Sequence, residues 1–406
     1  MPTFPKIYIA LPVLNELELL HSCIECIENQ TYLDFHVVVC VNQPDEWWDI
    51  EDKIDICKNN IETLSYLSLL NKKNYTIIDR TSKGAGWKRN KKGVGWARKT
   101  IMDFIALRAK PNDIIISLDA DTTFCENYFN SIIERFSEFP KAVAISNPYY
   151  HKRTGQIAED RAIMRYEIYM RNYSINLMKI NSPFAFTALG SAIALPVSSY
   201  NAIGGLTPKL SGEDFYFLQK LRKYGNIIVH NTEKVYPAAR FSDRVFFGTG
   251  PAMIKGNDGD WNSYPVYHHS LFNKIKITYD TFEKLFNEDI DTPMSAFLKT
   301  QFASDNIWKL LRENFKSREN FTRACHEKVD GLRILQFLKH QQSQMEFTDE
   351  KCLYENIFEY INENPYGNLK QLEHIDFRKC SIDLLSDIRD YLVSAESQLQ
   401  EKQKIV

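Results

Sequence analysis

An α/β fold, a mostly parallel sheet flanked by helices with a further helical region at the C-terminal end, is predicted by three features of the sequence. Short, continuously apolar runs alternate with amphipathic stretches through roughly the first 150 residues, the pattern of βαβ units whose strands are covered on both faces. One such run, Ile114-Ile115-Ile116-Ser117-Leu118, ends in Asp119-Ala120-Asp121. Open parallel sheets bind ligands beyond the carboxyl ends of their strands. From about residue 275 the pattern turns helical and charged to the end.

Taken in order, the first strand is expected at 7–11 and runs into Pro12-Val13-Leu14-Asn15-Glu16. Asn15 suits the N-cap of an amphipathic helix over 16–29 that carries Leu17, Leu20, Ile24 and Ile27. Further strands are expected at 36–41, 76–78, 114–118 and 142–146, with helices over 48–70, 95–108 and 126–138. A helix over about 156–180 precedes a mixed segment at 187–194. Ser211-Gly212-Glu213-Asp214 then opens another helix, whose Phe217, Leu218 and Leu221 have helical spacing. The expected division is a catalytic domain over 1–270 and a helical extension over 271–406.

A chain of 406 residues with 44% hydrophobic content can bury a large core. Its net charge of −2 gives no overall drive toward nucleic acid. No uninterrupted run reaches the roughly 18 apolar residues of a membrane span; the best stretch, 184–197, is broken by Gly190, Ser191 and Pro196. The N-terminus lacks a signal-peptide pattern. Eight cysteines scattered through expected helices and strands suit reduced thiols. Cys23 and Cys26 form a CxxC inside the first amphipathic helix, with no second pair to complete a zinc site. The expected location is cytoplasmic, with a peripheral contact at the inner face of the membrane as an alternative use of the C-terminal amphipathic helices.

The chemistry is read from five places. Residues i and i+2 of an extended chain point the same way, so Asp119 and Asp121 can face one spot. Two carboxylates held close call for a hard cation, Mg²⁺ or Mn²⁺; the plain alternative is a strand ending in a turn. The Pro12–Glu16 turn can line a base and ribose pocket. Between Arg80 and Lys99 lie eight basic residues, Lys92 and Arg98 among them, with no acid between and with Gly84, Gly86, Gly93 and Gly95 interleaved. The stretch is neither a Walker A loop nor a dinucleotide fingerprint, and fits a phosphate-binding funnel in which the backbone winds around an anion. Glu213-Asp214 can supply a general base, although Ser211 with Asp214 is also a capping-box-like pattern. The first-turn helix dipole would lower the basicity of a carboxylate there, so a base needs burial or a nearby like charge. The polar loop at 239–250 carries Arg240 and Arg244 and suits a lid or an acceptor contact, and His268 with His269 can complete a metal shell.

Together these residues resemble an inverting glycosyltransferase of the GT-A fold, family 2. The resemblance covers about residues 5–250. It rests on the order Pro12…Asn15-Glu16, Gly95-Trp96-Ala97-Arg98, Leu118-Asp119-Ala120-Asp121, Gly204-Gly205 and Gly212-Glu213-Asp214. The resemblance implies a nucleotide-sugar donor, a divalent cation, and one-step transfer with inversion to a saccharide or glycolipid acceptor, as in polysaccharide biosynthesis. It implies Asp121 as main metal ligand, Asp119 on ribose or metal, and Asp214 as the base. Glu213 becomes an acceptor or neighbouring contact, Arg98 and Lys92 donor-phosphate contacts, and Pro12, Asn15 and Glu16 nucleotide-pocket residues. The family places aspartates after the second strand, where this chain has Val41-Asn42-Gln43. Asn42 can bind a base through both donor and acceptor groups, so a UDP-sugar is favoured while the base stays open. Two rival readings are a sugar nucleotidyltransferase, which would want a Gly-rich basic loop after the first strand, and a non-catalytic nucleotide- or carbohydrate-binding scaffold.

Overall fold

The computed structural model describes residues 4–88, 91, 93–242, 248–361, 372 and 374–406. The chain divides into two compact units: Met1–Ile163, Phe186–Asp258 and Gln403–Val406 form the first, and Met164–Ala185 with Gly259–Lys402 form the second.

The first unit is built on a seven-stranded sheet. Its strands are β1 (Ile7–Val13), β2 (Phe35–Asn42), β3 (Tyr75–Arg80), β4 (Ile114–Ser117), β6 (Ala144–Ser146), β7 (Ile193–Pro196) and β8 (Ile227–Ile228), in the order β3-β2-β1-β4-β7-β6-β8. A separate two-stranded antiparallel sheet joins β5 (Thr122–Phe124) to β9 (Val235–Pro237). The pairs β1–β2, β1–β4, β2–β3 and β6–β8 are parallel. Successive residues Ile9, Ala10 and Leu11 are all fully buried, as are Val37 through Val41. Both faces are therefore covered, which is why these strands read as continuous apolar runs. The mixed segment at 187–194 resolves into a 3-10 turn, Gly190–Ala192, and β7, which runs antiparallel between β4 and β6. The parallel rule thus stops at β7.

Helices of this unit are α1 (Leu17–Glu28), α2 (Ile54–Leu69), α3 (Val94–Ala106), α4 (Tyr128–Glu138), α5 (Ile157–Lys179, which runs on into the second unit), α6 (Val197–Ala202), α7 (Glu213–Tyr224) and α8 (Thr249–Asn257). The expected helix at 48–70 breaks into 3-10 turns, Asp45–Asp49 and Glu51–Lys53, before α2. Cys23 sits in the buried stripe of α1 with Leu20, Ile24 and Ile27, and none of the eight cysteines is in a disulfide. Pairing of Ala10 with Ser117, Val13 with Val41 and Asn42 with Arg80 brings the carboxyl ends of β1 to β4 to one edge. Pro12 fits inside β1 because β4 stops opposite Ala10, so that side of the strand needs no N–H beyond it.

The second unit is helical: the later part of α5, then α9 (His269–Asp280), α10 (Ser295–Phe302), α11 (Lys309–Asn314), α12 (Arg318–Lys328), α13 (Gly331–Gln342), α14 (Asp349–Glu355), a π-helical turn at Asn356–Ile361, and α15 (Ile382–Gln403). Phe272, Phe282, Phe321, Phe337, Leu385 and Leu392 are fully buried in it. So is a charge network: Glu167 accepts from Arg171 at 2.6 Å and Arg389 at 3.1 Å, and Arg171 also meets Glu396. Buried charges persist only when paired in this way. Among the described residues no helix is long and apolar enough to cross a membrane.

Candidate active site

Leu118 and Ala120 point into the core. The alternation of extended chain therefore sends Asp119 and Asp121 the other way, with side chains 36% and 17% exposed. Burial, and next the negative charge of Asp119, raise the Asp121 carboxyl above its ordinary range, while Arg240 pulls it back. Arg240 donates to Asp121 Oδ2 at 3.0 Å and also to Glu16. It reaches them because β9 pairs with β5 and Ala238 N–H then bonds the Asp121 carbonyl at 3.1 Å.

Arg98 is the hub of the site. Only 2% exposed, it donates through Nε to Glu213 at 3.3 Å, through one terminal nitrogen to Ser117 Oγ and, at 2.8 Å, to the Gly190 carbonyl, and through the other to Asp119 Oδ1 at 2.9 Å. Gly190 makes this possible: a Cβ there would lie 3.0 Å from the guanidinium carbon. The donor-phosphate role implied for Arg98 meets a guanidinium turned inward, tying the end of β4 to the start of α7. A sequence signal for this exists. Arg98 stands at i with Ile101, Met102 and Ile105 at i+3, i+4 and i+7, on the apolar stripe of α3.

Glu213 and Asp214 occupy the first turn of α7. The N-cap is Gly212, left-handed at φ 71°, so the position that the Ser211–Asp214 reading gave to Ser211 falls to the next residue. Asp214 Oδ1 accepts the Phe215 N–H at 2.7 Å. Burial first, then the adjacent Glu213 charge, push Asp214 up to about 7, against the pull of Arg98. Burial also raises the 4%-exposed Glu213, with Arg98 opposing. Burial and a like charge are the offsets to the helix dipole that a base at this position requires.

At the β1 edge the structure corrects the expected cap. Asn15 is left-handed at φ 55° and gives its N–H to Asn60 Oδ1 at 2.8 Å, while Glu16 takes the N-cap position of α1 and sends its carboxylate to Arg240. Asn60 Nδ2 continues to Gln43 Oε1 at 2.8 Å, which also accepts from Thr81 at 2.5 Å. Asn42 is buried, donating to the Val13 carbonyl at 2.9 Å and accepting from Trp87 Nε1 at 3.0 Å.

Two glycines of the basic stretch serve close approach of the chain. A Cβ on Gly86 would lie 2.7 Å from Asp45 Cα, and one on Gly95 2.7 Å from Lys209 N. These two glycines let chain segments touch. Several cations there have protein partners: Arg80 lies over Trp87 and Lys91 over Trp96, while Lys83 pairs with Asp49 and Lys99 with Asp103. Arg89, Lys92 and residues 243–247, Arg244 included, lie outside the described residues. The contact at Gly95 carries a prediction. Gly95→Ala gains about 0.5–1 kcal/mol of helix propensity but overpacks the Lys209 backbone, four residues before Glu213, at about 1–3 kcal/mol. Net destabilisation with a lowered kcat is expected, checked by thermal unfolding and steady-state kinetics.

His268 and His269 fall in the second unit, where their neighbour is Glu355.

The segment 114–253 matches the family model described as Glycosyl transferase family group 2, a span that runs from β4 through Asp119, Asp121, Glu213 and Asp214 to Arg240. Similar solved structures include a Staphylococcus aureus TarS fragment in complex with UDP-GlcNAc, 12% identical at TM-score 0.40, covering 98% of this chain and 91% of that one. Another is the mannosyltransferase PcManGT from Pyrobaculum calidifontis in complex with GDP-Man and Mn2+, 14% identical at TM-score 0.33, covering 97% and 86%. Among curated proteins no sequence matches. Within this α/β fold, the matched segment makes the chain similar to glycosyltransferases, a class of enzyme. More particularly, the resemblance is to family group 2 and runs through residues 114–253.

Proposed function

We propose that the protein transfers a sugar, with inversion, from a nucleoside-diphosphate sugar to a hydroxyl of a saccharide or glycolipid acceptor, assisted by Mn²⁺ or Mg²⁺. The observation that carries this reading is the single buried guanidinium of Arg98, which holds the strand-end Asp119 and the helix-start Glu213 in one cluster. The acceptor oxygen attacks the anomeric carbon, the bond to the diphosphate breaks, and the acceptor proton passes to Asp214. A carboxylate near 7 is poised for that transfer at neutral pH. Glu213 is the buried counter-charge of Arg98 and acts as a positioning residue.

The residues at Asp119–Asp121 fit a hard cation. They offer oxygen donors only, and Asp119 disfavours the ionisation of Asp121, a repulsion that a bound cation relieves. When bound, the ion would stabilise negative charge on the departing diphosphate. Arg240, paired with Asp121 and Glu16, supplies positive charge at the same carboxylate. In this reading Pro12, Asn15, Glu16, Asn42 and Lys92 serve the donor, the catalytic domain lies within 1–270, and the helices of 271–406 serve the acceptor.

The test is calorimetric titration with UDP, GDP, CDP and dTDP, with and without Mn²⁺. One nucleotide is expected to bind with metal-dependent affinity, and Asp121→Asn is expected to weaken that binding at least about tenfold, about 1.4 kcal/mol. Binding that ignores both Mn²⁺ and the substitution would remove the assigned metal role. No binding to any of the four would favour the scaffold reading.

A further inference from the structure

The second unit holds a constellation that the proposed transfer does not use. His268, His269 and Glu355 each offer one ligand-type atom, and these atoms lie within 4.8 Å of one another. We propose that His268, His269 and Glu355 bind a divalent ion of the zinc class, at a site formed by residues of the second unit.

The donor set differs in kind from Asp119 and Asp121. Two imidazoles with one carboxylate suit zinc, whereas all-oxygen sets suit Mg²⁺ or Mn²⁺. His268 Nε2 lies 2.5 Å from Glu355 Oε2, and its Nδ1 lies 2.7 Å from Ser270 Oγ and 3.2 Å from Ser270 N. Ser270 holds the ring from behind, its N–H donating to Nδ1; an ion on Nε2 requires the other tautomer, in which Nδ1–H donates to Ser270 Oγ, the far-nitrogen arrangement of metal-binding histidines. The His269 ring lies against that of His268, tilted by 39° with centroids 4.2 Å apart. Asn356 fixes the backbone of this pair. Its Oδ1 accepts the His269 N–H at 2.7 Å, and its Nδ2 donates to Asn172 Oδ1 at 2.7 Å and the Tyr267 carbonyl at 2.8 Å. Asn356 also begins the π-helical turn directly after Glu355, a local irregularity frequent at functional sites.

His268 is 6% exposed, whereas His269 and Glu355 are partly open. Glu355 also lines a cavity of about 490 Å³ with Thr348, Lys351, Tyr354 and Asp376. Water from that cavity can fill the positions that three protein ligands leave. Lys351 is the competing cation: its Nζ lies 3.6 Å from Glu355 Oε1. Because it sits on Oε1, the Oε2 that faces His268 is the ligand atom.

The experiment uses the full chain stripped with chelator, dialysed against ZnCl₂ and analysed by elemental mass spectrometry. Asp119→Asn/Asp121→Asn serves as the background, so that zinc held by the first unit does not count. One zinc per chain is expected in this background, and adding Glu355→Gln or His269→Gln should weaken it at least about 100-fold, since even outer-shell changes cost 10–100-fold. No zinc in the background, or undiminished zinc after both additions, overturns the site. Should the added substitutions prevent folding, the background protein is loaded with Co²⁺ instead. Intense visible absorption of a low-coordinate nitrogen-ligated ion supports the site, and the weak spectrum of the hydrated ion overturns it.

Discussion

Asp214→Asn is expected to lower the transfer rate by about 10²–10⁴-fold, the range of general-base contributions, while nucleoside-diphosphate affinity stays within about twofold. The amide keeps the shape of the carboxylate and its bond to the Phe215 N–H but cannot take a proton. In the wild type the rate should rise with pH and level off above about 7, because the ionised form is the base and Asp214 is pushed up to about 7. The stability consequence has the opposite sign. A carboxylate raised above its unfolded value of about 3.9 leaves the folded state holding more protons than the unfolded one between about 4 and 7. Its stabilising contribution, complete below about 4, is therefore lost as pH rises through 7. Asp214→Asn should raise the melting temperature at pH 8 and change it little at pH 4, measured by calorimetric scans at the two values. Unchanged kinetics in this variant would assign the base elsewhere. A collapse of donor affinity would place Asp214 on the donor instead.

The parts of the site readable from sequence are those set by short-range geometry. Asp119 and Asp121 share a side because Leu118 and Ala120 are buried, which the period of a strand dictates. Glu213 and Asp214 open a helix where Phe217, Leu218 and Leu221 take up helical spacing. What stayed hidden depends on contacts far apart in sequence. Strands β5 and β9 are three residues each, too short for periodicity to announce them, yet their pairing delivers Arg240 to Asp121. The turn at Gly190–Ala192 reverses β7 and offers its carbonyl to Arg98 across 92 residues. Asn15 read as a cap because its residue type suits one, but Asn60 offers its N–H a better partner and leaves it left-handed. Arg98 was masked by its company: within a run of cations it reads as one more surface charge, although its place on the stripe of Ile101, Met102 and Ile105 marks it as buried.

Arg98→Met is expected to destabilise the fold by about 3–5 kcal/mol, the cost of removing one partner from a buried ion pair. Glu213 carries most of that cost, because at 4% exposure it has little recourse to water, whereas Asp119 at 36% is partly solvated. Adding Glu213→Gln should recover part of the loss, and a double-mutant cycle measures the coupling. Arg98→Lys separates positioning from phosphate binding. One ammonium has three donors and no planar fork, so it cannot serve Asp119, Glu213, Ser117 and the Gly190 carbonyl together. If Arg98 positions the carboxylates, Arg98→Lys lowers the melting temperature and kcat while UDP affinity changes little. The pH profile adds a readout that a merely structural role would not move. Arg98 holds both Glu213 and Asp214 down against burial, so weakening it should shift the rise of the rate toward higher pH. If Arg98 instead contacts the donor phosphates, the lysine variant keeps its melting temperature and pH profile and loses nucleotide affinity. Its four inward hydrogen bonds favour the first outcome.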